Sequence, residues 1–169
     1  FINSLNSQSV LGRCGVTIAQ QDMYTDALQQ NIEESGKYLD IRNNAVVYVP
    51  VKVHIVTLDD GTGGVGKHSI LFWLCKLNTN YKPLNIQFYL KGEFHNIADS
   101  KIYNDPMSSA QASKLVTNKD NKALNLFITG KSGEDGVLGF YQPNGDYVVL
   151  PKSEINSFTH TGSHEFGHF

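Results

Sequence analysis

The run AVVYVPVKVHIVT, residues 45 to 57, constrains the fold more than any other stretch. Its β-branched residues fall on both faces of an extended chain, so a strand made from it has no polar face to turn to water. It must lie inside a sheet that is covered on both sides. Pro50 cannot donate to a ladder and is expected near a bulge or at an edge-like position. With 169 residues, 40% hydrophobic and 18% charged, the chain has enough apolar surface for one such covered sheet, and a single domain is expected.

The rest of the sequence supplies the cover. Residues 1 to 17 are polar and read as an extended or mobile leader. Ile18, Met23, Leu28, Ile32 and Leu39 then sit among Gln, Glu and Lys in the pattern of a surface helix interrupted near Gly36. After the turn-rich DDGTGGVG, the apolar residues Ile70, Leu71, Trp73, Leu74 and Leu77 recur at helical spacing. They predict a helix over residues 67 to 80, packed on the sheet. LNIQFYL (84 to 90) and ALNLFIT (123 to 129) read as strands, separated by a loop region and a short helix near 108 to 117. GVLGFY (136 to 141) and DYVVLP (146 to 151) flank QPNG, whose Asn144-Gly145 signals a tight turn. A last helix begins near Thr159 or Thr161, either of which can cap it. This order describes an α/β (α+β) fold: a twisted, mostly parallel mixed sheet with an antiparallel edge late in the chain and a helix at its C-terminus.

Charge and hydropathy exclude two classes of partner. The net charge is -2, with Lys and Arg scattered singly, so there is no basic stripe for nucleic acid. No window holds about eighteen uninterrupted apolar residues, and FINSLNSQSV lacks a signal-peptide pattern, so neither a membrane span nor a signal segment is expected. Cys14 and Cys75 can form one disulfide, but so sparse a pair does not identify a compartment.

The strongest chemical signal is His164-Glu165-Phe166-Gly167-His168, an H-E-x-x-H pattern. On a helix the two histidines stand one above the other and reach one zinc ion at about 2.1 Å. Glu165, rotated beside them, is placed to take a proton from water and pass it to a leaving amine. Chance gives this pattern in roughly one such sequence in a hundred, which favours the zinc reading. A catalytic zinc uses three protein ligands, and the motif supplies two. His160 lies one turn earlier, but a helix rises roughly 12 Å between 160 and 168, too far for three side chains to converge. His54 and His68 read as ordinary packed or surface histidines, and His95 as a loop residue without a signal. A structural calcium has no ligand pattern readable in this chain.

A rival motif lies upstream. GTGGVGKHS (61 to 69) fits G-x-x-x-x-G-K between a strand and a helix, the place for a phosphate-cradling loop. The position that should bind magnesium through Ser or Thr is His68, and NLFIT closes without the Asp of a second magnesium contact. A P-loop-like nucleotide-binding protein using Gly61 to Lys67 is thus the alternative function. A plain flexible loop is the simpler account of the same residues.

HEFGH resembles the opening of the metzincin motif H-E-x-x-H-x-x-G-x-x-H. Together with VPVKVHIV as a first sheet strand and GVLGFYQP as an edge strand and its exit, it makes the chain similar to the pappalysin (cytophagalysin-like) branch of the metzincin zinc metalloproteases. The likeness covers roughly residues 45 to 169. It implies the zincin-type N-terminal subdomain of a catalytic domain, with residues 1 to 44 as a leader or pro-segment. It also implies a secreted zinc endopeptidase acting on peptide or protein substrates, with His164 and His168 on the metal and Glu165 as general base. Gly136, Val137, Leu138, Gly139 and Phe140 would then hold an extended peptide by strand addition; without the resemblance, they read as a strand with a bulge at Gly139. Related zymogens carry Arg-Cys-Gly in the pro-segment, so Arg13-Cys14-Gly15 implies a latency switch whose thiolate takes the open zinc position; a plain leader cysteine or a partner for Cys75 is the competing account. Cys75, in ILFWLCKL, is expected in the core.

The sequence departs from the family where the third histidine and the methionine turn should follow, since only Phe169 comes after His168. The expectation is a fragment whose third ligand lies in the parent protein. Such a fragment would bind zinc loosely, cleave little, and expose apolar surface around Phe166 and Phe169. A non-catalytic, peptidase-like binding domain is the remaining alternative.

Overall fold

The computed structural model describes residues 13–14, 45–156 and 159–169. The expected helix over 18–39 and most of the leader lie outside the described residues. Seven strands form one sheet: β1 (Arg13–Cys14), β2 (Val47–Thr57), β3 (Ile86–Leu90), β4 (His95–Ala98), β5 (Leu124–Thr129), β6 (Val137–Gln142) and β7 (Tyr147–Pro151). The helices are α1 (Lys67–Tyr81), α2 (Ser100–Asn104), α3 (Ser109–Asn118), α4 (Lys152–Asn156) and α5 (Thr161–Phe166), with a 3-10 turn over Lys82–Leu84. The strand order is β1-β6-β7-β5-β2-β3, and β4 pairs with β2 beyond β3. All pairings are parallel except β6 with β7, so the mixed sheet with an antiparallel edge is observed.

The doubly apolar run does become the interior strand. Val51, Val53 and Ile55 of β2 point to one face, where Leu124, Leu126 and Ile128 of β5 and Val148 and Leu150 of β7 join them against Ile70, Trp73, Leu74 and Leu77 of α1. Val56, Phe127 and Val149 point to the other face, against Ile102, Tyr103 and Leu115 of α2 and α3. The two-sided burial follows from the period of two in strands. Pro50 pairs with Tyr89 of β3, while the ladder to β5 starts only at Val51. Its missing N–H therefore falls where β2 has a neighbour on one side, the edge-like position that proline tolerates.

Three short elements replace the expected loop after β3 and the expected run into the last helix: β4, α2 and α4. The carboxylate of Asp99 caps α2 by accepting from the amides of Lys101 and Ile102. Cys75 is exposed, not in the core, because it lies on the side of α1 opposite Trp73 and Leu74. Among the described residues, no helix is long and apolar enough to cross a membrane.

Candidate metal centre

The C-terminal helix α5 is short, and packing places it. Gly162 lies so close to α1 that a Cβ there would stand 2.4 Å from Trp73 Cζ2, so no larger residue fits without movement. Phe166 inserts between Trp73 and Phe88, with ring centroids 5.6 and 5.2 Å away in edge-to-face geometry. It is 2% exposed, contrary to the expected apolar surface there, because α1 and β3 already cover that side of the helix. Phe169 is exposed as expected. Neither threonine caps α5. His160 occupies the N-cap, and the Thr159 hydroxyl donates to Glu154 Oε2 at 2.6 Å, tying the approach to α5 onto α4.

With positions 162 and 166 turned inward, His164 is exposed and His168, just past the helix end at Gly167, is half-buried. Their Nε2 atoms stand 3.2 Å apart and their rings cross at 90°. Two nitrogens at that separation, each about 2.1 Å from a common ion, subtend about 100° there, close to tetrahedral, so the pair fits two ligands of zinc. Burial, and then the neighbouring His164, pull the His168 imidazole below its ordinary pKa, which keeps the ring neutral and able to ligate. Glu165 is 1% exposed. Among the described residues no group of three or more His, Cys, Asp or Glu side chains can hold a metal ion, so the pair stands as two donors.

Strand β6 runs beside α5. A Cβ on Gly139 would lie 2.6 Å from Leu150 Cδ2 and 3.3 Å from Thr161 Cγ2, so the missing side chain lets β6 approach both β7 and the first turn of α5. Gly136, immediately before the strand, has φ +82°, a conformation that favours glycine. Val137, Gly139 and Phe140 are buried and Leu138 partly so. The outer edge of β6 is taken by β1: Arg13 pairs with Val137 and Cys14 with Gly139, in parallel, and the register slips between these pairs so that Leu138 is left over. Arg13 and Cys14 are thus brought to the strand expected to hold a peptide.

Gly61 to Lys67 gives a different picture from a phosphate cradle. The amides of Gly61 and Thr62 are spent inside the turn, on Leu58 O and on the Asp60 carboxylate. The Gly63 carbonyl accepts from Lys152 Nζ at 3.0 Å and from the Tyr103 hydroxyl at 3.1 Å, and Lys67 Nζ lies over the Phe94 ring. A turn pinned by these contacts accounts for these residues, and the nucleotide alternative is not favoured.

The pairing of His54 with His95 gave no signal in the sequence. His54 has no exposed surface; its Nε2 donates to Asn125 Oδ1 at 3.0 Å, and its Nδ1 lies 2.9 Å from His95 Nδ1. Burial lowers its pKa to about 4.

No protein-family model and no curated protein matches the sequence. Solved structures do. A mutant form of Tannerella forsythia promirolysin, with Glu replaced by Ala, superposes with a TM-score of 0.56 at 18% identity, over 92% of this chain and 67% of that one. Metalloproteinase-II from Bacteroides fragilis matches with a TM-score of 0.46 at 16% identity, over 72% of this chain and 41% of that one. This chain has a metalloprotease-like α/β fold.

Proposed function

We propose that this chain carries part of the site of a secreted zinc endopeptidase of the metzincin type, on its pappalysin-like branch. His164 and His168 are two of the metal's protein ligands, and Glu165 is the general base. One observation carries the reading: two imidazole Nε2 atoms converge at 3.2 Å at the end of a helix seated beside the antiparallel strand β6. Zinc held there would supply Lewis acidity toward a peptide carbonyl and a water acidic enough to attack near neutral pH. The chain's own residues do the rest. Glu165 sits between the two histidines in sequence, where its carboxylate can hold the proton in transit. Strand β6, from Val137 with Gly136 leading in, offers backbone groups to an extended peptide, and the pairing of Arg13–Cys14 there supports that use of the edge.

The same pairing supports a latent state. Arg13 and Cys14 lie where substrate would pair, and Cys14 stands opposite Gly139, next to the first turn of α5. Cys14→Ser in a precursor is expected to raise activity before processing; unchanged latency would remove Cys14 from any regulatory role.

Zinc titration tests the metal site. The imidazole signals of both His164 and His168 should move together, and His164→Ala or His168→Ala should abolish the response. In a longer chain that brings a third donor to the pair, peptide cleavage is expected and should be lost on Glu165→Ala. Cleavage that survives that substitution would overturn the assignment of the base. With two donors alone, weak zinc binding is expected.

A further inference from the structure

The last turn of α1 grips α5 at the residues that precede each candidate ligand. Asn78 fastens α1 to β3 from both sides of its amide, accepting from Phe88 N at 2.7 Å and donating to Phe88 O at 2.9 Å. The Phe88 ring meets Tyr81 edge-to-face at 5.0 Å, which fixes the direction of the phenol. The Tyr81 hydroxyl then donates to the carbonyl of Ser163 at 2.7 Å, and Asn80 Nδ2 donates to Ser163 Oγ at 2.6 Å.

Ser163 O is also the acceptor for Gly167 N at 3.1 Å, and that amide is shared with His164 O at 3.0 Å. His168 N bonds to Glu165 O at 3.3 Å, three residues back, so the chain tightens from α-helical to 3-10 spacing between the two histidines. Gly167 has φ -74°, so its backbone does not demand glycine. Space there is tight: a Cβ would stand 3.3 Å from Tyr81 Oη and 3.1 Å from His164 O, close enough that the hydroxyl would have to give by a few tenths of an ångström. The glycine of HEFGH is therefore the seat of the Tyr81 hydroxyl.

Resting on the reading of His164 and His168 as zinc ligands, we infer that Tyr81 is a positioning residue whose hydroxyl, held between Ser163 O and Gly167, sets the separation of the two imidazoles. Its hydrogen bond goes to the backbone of Ser163, not to a ring. It acts through the turn that joins them, as outer contacts do at metal sites.

The test uses the full chain and zinc alone, followed through the imidazole signals of His164 and His168. Tyr81→Phe keeps the ring and its contact with Phe88 and removes one hydrogen bond. Zinc affinity per folded molecule should fall roughly fivefold. Gly167→Ala separates position from stability, since an alanine at a helical φ raises helix stability while its methyl pushes the hydroxyl by a few tenths of an ångström. Weaker zinc binding in a chain that is no less stable is expected, and combining the two substitutions should add little to either alone. Unchanged zinc affinity in both folded variants would overturn the inference, leaving Tyr81 a packing residue. Should Tyr81→Phe fail to fold, Gly167→Ala decides alone. Zinc that moves neither imidazole in the unsubstituted chain overturns the metal site itself, and with it this role for Tyr81.

Discussion

Two pairs of histidines in this molecule bring ring nitrogens within about hydrogen-bonding distance, and they share almost nothing else. His164 and His168 come from one turn of chain and meet at 3.2 Å through Nε2, on a surface. His54 and His95 come from parallel strands, stand opposite each other in the β2–β4 register, and meet at 2.9 Å through Nδ1. His54 is stacked on Phe127 at 4.1 Å and bonded to Asn125, whose amide also donates to Asp120 O and Ala123 O. The His54 Nε2–H is thus committed to a carbonyl, its Nδ1 accepts from His95, and both its nitrogens are occupied within the fold. Proximity of imidazoles does not make a metal site. The His164–His168 pair can take an ion because its two nitrogens meet at the exposed end of α5, beside β6, whereas the inner pair is a polar clasp in the core.

The sharpest way to break this contrast is to remove the inner ring. His54→Ala leaves a cavity against Phe127 and strips partners from Asn125 and His95, and should cost about 3 to 4 kcal/mol of stability in urea denaturation. A loss under about 1 kcal/mol would mean that the clasp holds little.

Acid should open the same clasp without mutation. Burial, with lesser help from His95 and Lys52, outweighs the Asn125 bond and Asp120 and lowers the His54 pKa from 6.5 to about 4. Between those values the unfolded chain takes up a proton that the folded chain refuses, so stability rises with pH across the window and is lost as pH falls through it. The loss should approach about 2 to 3 kcal/mol by pH 4. The slope should fall in His54→Gln, leaving the part that the lowered pKa of His168 contributes in the same direction; a slope as steep as that of the unsubstituted chain would place the responsible group elsewhere.

What the sequence revealed and concealed follows the same divide. The i, i+4 spacing of His164 and His168 is local, and a helix turns it into geometry without help. The strands of the sheet were legible because burial on one or both faces leaves a period in the sequence, as at Val51, Val53 and Ile55. The His54–His95 clasp was not legible, since it joins residues 41 apart through a parallel register that no local pattern encodes. β4 has four residues and only partial burial, too little periodicity to mark a strand. Cys75 was misjudged because its apolar neighbours Leu71 and Phe72 themselves lie on the exposed side of α1. Phe166 was misjudged because Trp73 and Phe88, which cover it, are distant in sequence. The contact of Gly162 with Trp73 was hidden for the same reason.

A moderate effect should come from the seam between the sheet and the metal helix. Gly139→Ala drives a methyl toward Leu150 and Thr161, and should destabilise by about 1 to 2 kcal/mol in thermal denaturation as β6 and α5 are pushed apart. The pairing of Arg13–Cys14 with β6 should weaken with it, read as faster amide exchange at Val137 and Phe140. A stable variant with unchanged exchange would mean that β6 and α5 are not as closely joined as the Gly139 contacts require.

The smallest change in stability should come from the outer pair. His164 is exposed, and the polar contact seen for its ring is with His168, itself only half-buried. Removing it creates no cavity, and its burial returns little apolar area to water. Burial, and then the neighbouring His164, lower the His168 pKa, so no charge on His168 binds the pair together. His164→Ala should therefore shift stability by less than about 0.5 kcal/mol at neutral pH, while abolishing the zinc response that His54→Ala leaves in place wherever the chain remains folded. A loss of 2 kcal/mol or more, on the order seen for buried polar clasps, would make the outer pair a structural element like the inner one and remove the ground for reading it as a metal site.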